Sequence, residues 1–469
     1  MVEACKKKRI VISCLIIVVL AFVKVMIWGF GDLDELWNYN MSRGIVMGLV
    51  PYRDFNMVLT PLFAFFNSLA VLFSRSLIAY RVSCSVILSV FMLLVFKAIS
   101  QKTNRYYALP SVLLCLLFSS VVTYNTFFMI FVLTIYLLFQ RKDSNTRNIL
   151  IGISGACAAL SRQTSGGILI LIVLILLAGP WGGGTSKKQR FKDVSFCILG
   201  GLVPCVAFLI YLLSTNAFGA FWDYCFFGLF AFGNGNGIFQ ISALPYLFIA
   251  LLGIICDIAL LKTDRKAAIT HLMLGITVFI IAIPIVENVH TSFAAIWFLI
   301  PVVIFIKKRF GRNLSKRLSV ILISVLAVVV ALMSVLGVIG CNVIETPVEL
   351  KGIFADRTLV SDYIALADQS EKYEEQGYRV ITISNSAVLI SIVKGDIDPV
   401  FDMFNKGNFG VNDPMKYVEE VCNNENSLIQ MPDDYATEGW QNPDGVYEYV
   451  VSHCEEIDNY GRFKLYKPL

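Results

Sequence analysis

Apolar runs of about twenty residues alternate with short polar stretches from Ile10 to Ile339. As a helix, a run of that length crosses a hydrocarbon layer of about 30 Å. The pattern predicts twelve candidate spans: Ile10–Trp28, Val58–Phe73, Leu77–Phe96, Tyr107–Val122, Thr126–Phe139, Ile149–Leu160, Gly166–Leu177, Val194–Leu213, Ile241–Leu261, Ile269–Val286, Ala294–Ile306 and Leu318–Ile339. The first is long for a cleaved signal, lacks a small-residue cleavage site and precedes many further spans, so it reads as a signal anchor.

Beyond Glu345 the pattern changes to alternating helix-like and strand-like segments. Helices are predicted at Leu359–Glu375, Ser386–Val393, Pro414–Val421 and Val446–His453, and strands at Tyr378–Ile383, Ser427–Gln430 and near Phe463–Tyr466. The expected fold is mainly α: a polytopic membrane helical bundle of eleven or twelve transmembrane segments over residues 1–344, then a small extracytoplasmic α/β domain over 345–469.

Basic residues orient the bundle. Lys6–Arg9 precede the first span and place the N-terminus in the cytoplasm. Basic loops recur at Lys97–Arg105, Arg141–Arg147, Lys187–Lys192, Lys262–Lys266 and Lys307–Arg317, each two spans after the last, so all five can share that side. The segments between them then face outward with the tail: Gly31–Leu62, Tyr124–Asn125, Arg162–Ser165, the aromatic Phe218–Gly237 loop and Glu287–Ser292. The aromatic loop is expected to dip into the lipid interface. One conflict remains: with Gly31–Met57 outside and Lys97 inside, only one of Val58–Phe73 and Leu77–Phe96 can cross, which makes Val58–Phe73 a candidate re-entrant or interfacial helix.

At 57% hydrophobic and 16% charged residues, with mean hydropathy +0.70, the chain is excluded from the soluble globular class. Its net charge of +5 averages two unlike parts. Residues 1–344 hold 29 Lys and Arg against 11 acids, a net of +18, and the tail holds 10 against 23, a net of −13. The basic excess flanks membrane spans and implies no nucleic acid. Most of the twelve cysteines lie inside apolar runs, without a C-x-x-C pair or a Cys/His cluster. Cys422 and Cys454 in the tail could bridge if that domain is outside.

Four of the eleven acids in residues 1–344 fall between Asp32 and Asp54, and acids gathered at one mouth of a membrane protein mark a functional site. Asp32 suits a helix N-cap, and Glu35 three residues on completes a capping box. On the same helix Asp34, Asn38 and Ser42 share a face, leaving Asp34 without a capping role. The competing reading of Asp34 is a solvated loop acid. Gly44, Gly48 and Pro51 mark turns, and Arg53–Asp54 is either a local salt pair or a phosphate site.

The ordered set DELWNYN, RGIVMG, VPYRDF and TPL after a first membrane helix resembles the first extracytoplasmic loop of GT-C superfold glycosyltransferases, the bacterial families similar to protein O-mannosyltransferases and lipid A aminoarabinose transferases. Asp34-Glu35, Gly48–Phe55 and Pro61-Leu62 occupy the places of that family's Asp-Glu pair, its Gly-x-x-Pro-Tyr-x-Asp-Phe segment and its Pro-Leu helix start. Arg162-Gln163-Thr164 matches its Lys/Arg-Gln-Thr motif, and His290 fits a late outer-loop histidine.

The resemblance implies sugar transfer from a polyprenyl-phosphate donor to a glycan, lipid or protein acceptor at the outer surface of a bacterial plasma membrane. It makes Asp34 the essential acid, with Glu35 beside it as a second catalytic candidate. Arg162, Gln163, Arg53 and Arg43 become candidates for the donor phosphate, and Asp54, Tyr52, Asn125, Glu287 and His290 for substrate contact. A divalent metal, Mg or Mn, stays open. Members often carry a second acid in the next outer loop, where this chain has Tyr124-Asn125, so a two-carboxylate metal site is in doubt. The bland readings are a helix-end anchor for Arg162, a satisfied polar residue for His290 and simple snorkelling for Lys24. The rival functions are a multi-pass transporter, whose paired broken helices are missing from the sequence, and a polysaccharide polymerase or ligase, which concentrates function in a large late loop.

Overall fold

The computed structural model describes residues 2–30, 33–231, 238–310, 316–384, 387–397, 407–409, 414–433 and 445–469. Asp32, predicted as the N-cap of the first-loop helix, lies outside them.

Seven of the predicted spans stand as helices long and apolar enough to cross a membrane: Lys8–Met26, Leu77–Ser100, Lys187–Ser214, Ile241–Leu260, Arg265–Ala282, Asn288–Arg309 and Arg317–Leu336. The chain is a multi-pass membrane protein. The helices at Asn288–Arg309 and Leu77–Ser100 form the centre of the bundle, with most of their residues buried inside the protein. Those at Lys187–Ser214 and Arg317–Leu336 turn Leu199, Val203, Ile210, Ile321 and Val328 outward, as lipid-facing helices do.

The other five predicted spans are shorter helices. Arg105–Phe118, Tyr124–Phe139, Asn145–Ala159 and Gln163–Ala178 run 14 to 16 residues, about 21–24 Å at the helical rise. Leu62–Phe73 has only 12 residues, about 18 Å. That is far short of a bilayer core, as a re-entrant or interfacial helix would be.

Close helix packing seats the turn that follows residue 159. A Cβ on Gly152 would fall 1.9 Å from the Cys197 carbonyl oxygen, and one on Gly200 would fall 2.2 Å from that of Ile149. The helices Asn145–Ala159 and Lys187–Ser214 therefore touch backbone to backbone, as small residues permit inside membranes.

The first-loop helix, Leu33–Val46, is buried along most of its length, including Leu36, Trp37, Tyr39, Met41, Ser42 and Arg43. A buried loop helix needs its polar groups met. Asn38 Nδ2 donates to the Asp34 carbonyl at 2.7 Å, and Ser42 Oγ to the Asn38 carbonyl at 2.9 Å, along the predicted polar face.

The C-terminal region carries a four-stranded sheet ordered Arg379–Thr382, Ser427–Pro432, Phe463–Pro468, Cys454–Tyr460. The first pair is parallel and the other two pairs are antiparallel. Helices at Arg357–Glu374, Ala387–Val393, Pro414–Cys422 and Val446–His453 accompany it. The last strand pair was only half visible in the sequence, because Cys454–Tyr460 reads CEEIDNY, an acidic and mostly exposed edge that lacks the apolar alternation of a strand.

Candidate functional site

The Arg162 guanidinium is the hub of the site. It lies at the N-cap of the Gln163–Ala178 helix, donates to Asn125 Oδ1, and donates to the Ile281 carbonyl at 3.0 Å. The Tyr124 ring lies 5.8 Å from its carbon. These contacts hold Nη1 and Nη2, while the buried Nε has no hydrogen-bond partner among the described residues. Asn125 is fully buried at the start of the Tyr124–Phe139 helix.

Asp34 faces this hub from the first turn of the loop helix, and the charged groups acting on it are His290, Glu287 and Arg162. Burial is the strongest influence and raises its carboxyl above the ordinary aspartate value; His290 and Arg162 oppose that rise, and Glu287 reinforces it. Glu287 precedes the Asn288–Phe310 helix, where its carbonyl accepts from Thr291 N at 3.0 Å. Its Oε1 lies 3.1 Å from His290 Nδ1. Strand pairing of Ile285–Val286 with Ile238–Phe239 joins this turn to the aromatic loop, whose Trp222, Phe227 and Phe230 are exposed.

Five predicted residues therefore come together: Asp34, Asn125, Arg162, Glu287 and His290. They derive from the first loop, two helix starts and a late turn.

The other candidates lie elsewhere, each in a structural bond. Glu35 turns away from Asp34 into the bundle, where Arg81 grips both its oxygens, Nε to Oε1 at 2.7 Å and Nη2 to Oε2 at 2.6 Å. Arg43 is not turned toward the hub. It is 1% exposed and donates to the carbonyls of Ser391 at 2.8 Å, Ile392 at 3.2 Å and Asp396. Gln163 sutures the first loop, its Nε2 donating to the Val58 carbonyl at 2.6 Å while Thr60 N approaches its Oε1 at 3.4 Å.

Arg53 and Asp54 form a salt pair at 2.7 Å near the surface, and that pairing holds the Asp54 carboxyl below its usual range. Tyr52 has a left-handed backbone, φ 72°, and its hydroxyl donates to the Leu59 carbonyl at 2.8 Å. These three build the turn of the loop. Lys24 lines a small cavity of about 20 Å³ with Trp28, Glu35 and Ser120.

Arg81 escaped the sequence reading, although an arginine inside an apolar run signals a buried partner. A second buried pair was missed in the same way: His271 Nδ1 lies 2.7 Å from Asp257 Oδ2, with the imidazole stacked on Trp297 at 4.3 Å.

Among the described residues no group of three or more His, Cys, Asp or Glu could hold a metal ion. The acid-poor position in the second outer loop is filled by Asn125, whose oxygen is taken by Arg162.

ArnT from Cupriavidus metallidurans, solved bound to undecaprenyl phosphate, superposes on the chain with a TM-score of 0.60 at 13% identity, covering 98% of both chains. The fold is that of the GT-C membrane glycosyltransferases. The Archaeoglobus fulgidus oligosaccharyltransferase tethered to an acceptor peptide containing the NVT sequon matches with a TM-score of 0.54 at 12% identity, over 96% of this chain and 74% of its own. The same oligosaccharyltransferase in complex with Zn and sulfate matches at 0.51 and 12% identity, over 97% of this chain and 73% of its own. No family model and no curated protein matches the sequence. The expected GT-C architecture is thus met over nearly the whole chain.

Proposed function

We propose that the chain is a membrane glycosyltransferase that moves a sugar from a polyprenyl-phosphate carrier to an acceptor at the extracytoplasmic face. The carrying observation is the convergence of Asp34, Arg162, Glu287 and His290, from separate segments, in one corner of a GT-C fold. The bound undecaprenyl phosphate of ArnT supports a lipid-phosphate donor. The charge distribution between basic and acidic loops supports the outer placement of this corner and of the C-terminal domain.

In this reading Asp34 is the general base. As the acceptor hydroxyl attacks the anomeric carbon, its proton passes to the Asp34 carboxylate, the new C–O bond forms, and the bond from that carbon to the phosphate oxygen breaks. Attack opposite the leaving group inverts the anomeric centre. A carboxyl raised by burial is a stronger base than an exposed aspartate, which suits this step. Arg162 faces the leaving phosphate. Its unpartnered Nε is a donor in waiting, and a guanidinium meets phosphate oxygens with a rigid fork. Glu287 lies beside His290 and both neighbour Asp34. Glu35, Arg43 and Gln163 fix the loop that carries Asp34 and take no part in the proton transfer.

The test is Asp34→Asn in membranes supplied with polyprenyl-phosphate sugars and total envelope acceptors. Sugar transfer is expected to fall by about 10²–10⁴, and transfer at the parental rate would remove Asp34 from its role.

A further inference from the structure

Beyond Glu345 the chain has only two cysteines, Cys422 and Cys454, and the fold brings them into contact. Their sulfurs lie 3.6 Å apart. Cys422 ends the Pro414–Cys422 helix, and Cys454 opens the edge strand Cys454–Tyr460. Both are buried in one small apolar cluster with Val418, Val421, Met431 and Val450. The remaining cysteines all precede Glu345 in the sequence.

We propose that Cys422 and Cys454 form a disulfide that closes the C-terminal domain. The inference rests on the reading that this domain lies on the extracytoplasmic side, where disulfides persist. Bridging needs an S–S distance of about 2.05 Å, which small side-chain rotations supply from a sulfur contact already made. In the folded pair the Cys454 thiol points at the Cys422 sulfur, so the two sulfurs already face each other.

The chemistry requires an oxidant, a dithiol–disulfide oxidoreductase of the envelope carrying a reactive disulfide. The Cys454 thiolate attacks that disulfide, forming a mixed disulfide and expelling one oxidant thiolate. Cys422, losing its proton, then attacks the Cys454 sulfur and expels the second. The two protons lost by the cysteines pass to the two expelled thiolates, the two cysteines are oxidised, and the oxidant's disulfide is reduced to a dithiol by the same two electrons. Because both thiols are buried in the finished domain, the bond forms before the domain closes.

The bridge joins a helix end to the edge strand around the segment between residues 422 and 454. It restricts the unfolded domain through the loop it closes. An acidic edge strand is weakly held by apolar contacts, and a covalent tie at its first residue keeps it in register with Phe463–Pro468.

The experiment traps thiols with N-ethylmaleimide during cell lysis, purifies the full chain without reductant, and maps it by mass spectrometry before and after reduction. The expected result is one linked peptide pair carrying Cys422 and Cys454, two hydrogens lighter than the thiol forms, with neither residue alkylated. Cys422→Ser should leave Cys454 fully alkylated, and Cys454→Ser the reverse. The double variant should lose no more thermal stability than either single one, since all three lack the same bond. A parallel Gln376→Cys variant, at an exposed position, reports sidedness through an impermeant maleimide applied to intact cells. Both tail thiols alkylated in a chain that labels from outside overturns the disulfide and leaves the outer placement standing. Failure to label from outside, with both thiols alkylated, overturns the placement and the oxidation together.

Discussion

Arg81 binds Glu35 through two parallel hydrogen bonds of 2.7 and 2.6 Å while donating through Nη1 to the Trp28 carbonyl at 2.8 Å, with the Arg81 side chain closed to solvent and that of Glu35 nearly so. One arginine thus ties the end of the first membrane helix, the first-loop helix and the Leu77–Ser100 helix together. In the proposed reaction the bond separates the Asp34-Glu35 pair, with Glu35 committed to Arg81 and Asp34 left to act as the base.

Glu35→Gln should therefore act on stability before activity. Removing one partner strands a buried guanidinium, at a cost of about 3–5 kcal/mol. The expected outcome is a lower unfolding temperature in detergent and less protein in the membrane. The fraction that folds should keep an unchanged pH profile, because the base is not the residue altered. Transfer rate per folded molecule and thermal unfolding separate the two effects.

Asp34 is expected to show the opposite combination. Its folded carboxyl is raised by burial, so the neutral form is favoured in the folded state. The stability this gives is fully present below the unfolded aspartate value and is lost as pH rises through the folded one. At neutral pH the unfolded chain holds this aspartate ionised at no cost, the folded one does not, and Asp34→Asn removes that difference. The variant should unfold at a higher temperature than the parent at pH 7 and at the same temperature well below pH 4, while transfer is nearly abolished. In the parent, transfer should fall on acidification with a midpoint above that of an ordinary aspartate.

The residues that meet around Arg162 were legible to the extent that their types are rare where they stand. Asp34, Arg162, Glu287 and His290 are polar groups in an apolar chain, and charge bookkeeping alone placed them on one side. Their partners were not legible. Arg81 lies 46 positions from Glu35, and no periodicity links them. Arg43 has the composition of a phosphate ligand, yet the carbonyl it binds belongs to Ser391, 348 positions away. A backbone acceptor leaves no mark in the sequence. Helix lengths failed for a related reason: an apolar run says how much is buried, whereas the turns at Thr123, Ser144 and Arg162 decide where each helix starts.

Arg162→Lys tests the donor phosphate. Lysine keeps the charge but loses the fork that reaches Asn125, Ile281 and, through Nε, a ligand oxygen. A charge-assisted hydrogen bond is worth about 1.5–3 kcal/mol, so transfer efficiency should fall about ten- to a hundredfold. KM for the lipid-linked donor should rise and the acid limb of the pH profile should shift little. An unchanged KM for the donor would place Arg162 outside the phosphate contact and return it to the role of a helix-end anchor.

The Arg43 contacts predict that the C-terminal domain steadies the helix carrying Asp34. The guanidinium sits at the C-terminal end of the Ala387–Val393 helix, where the last carbonyls and the helix dipole favour a cation. Asn40 adds a bond to Ser391 Oγ at 3.3 Å, and Asn56 one to the Asn408 carbonyl at 3.1 Å. Arg43→Met fills similar space but removes the guanidinium that bridges the Ser391, Ile392 and Asp396 carbonyls, leaving Ile392 its bond from Gly395 N and Asp396 its bond from Ser391 Oγ. It should lower kcat several-fold while leaving KM for the donor unchanged, and it should speed proteolytic release of the C-terminal domain from membranes. Arg43→Lys, which can still reach one or two of the carbonyls, should recover part of both. If Arg43→Met releases the domain at the parental rate and transfers sugar at the parental kcat, the clamp does not position Asp34, and the two domains are joined for another reason.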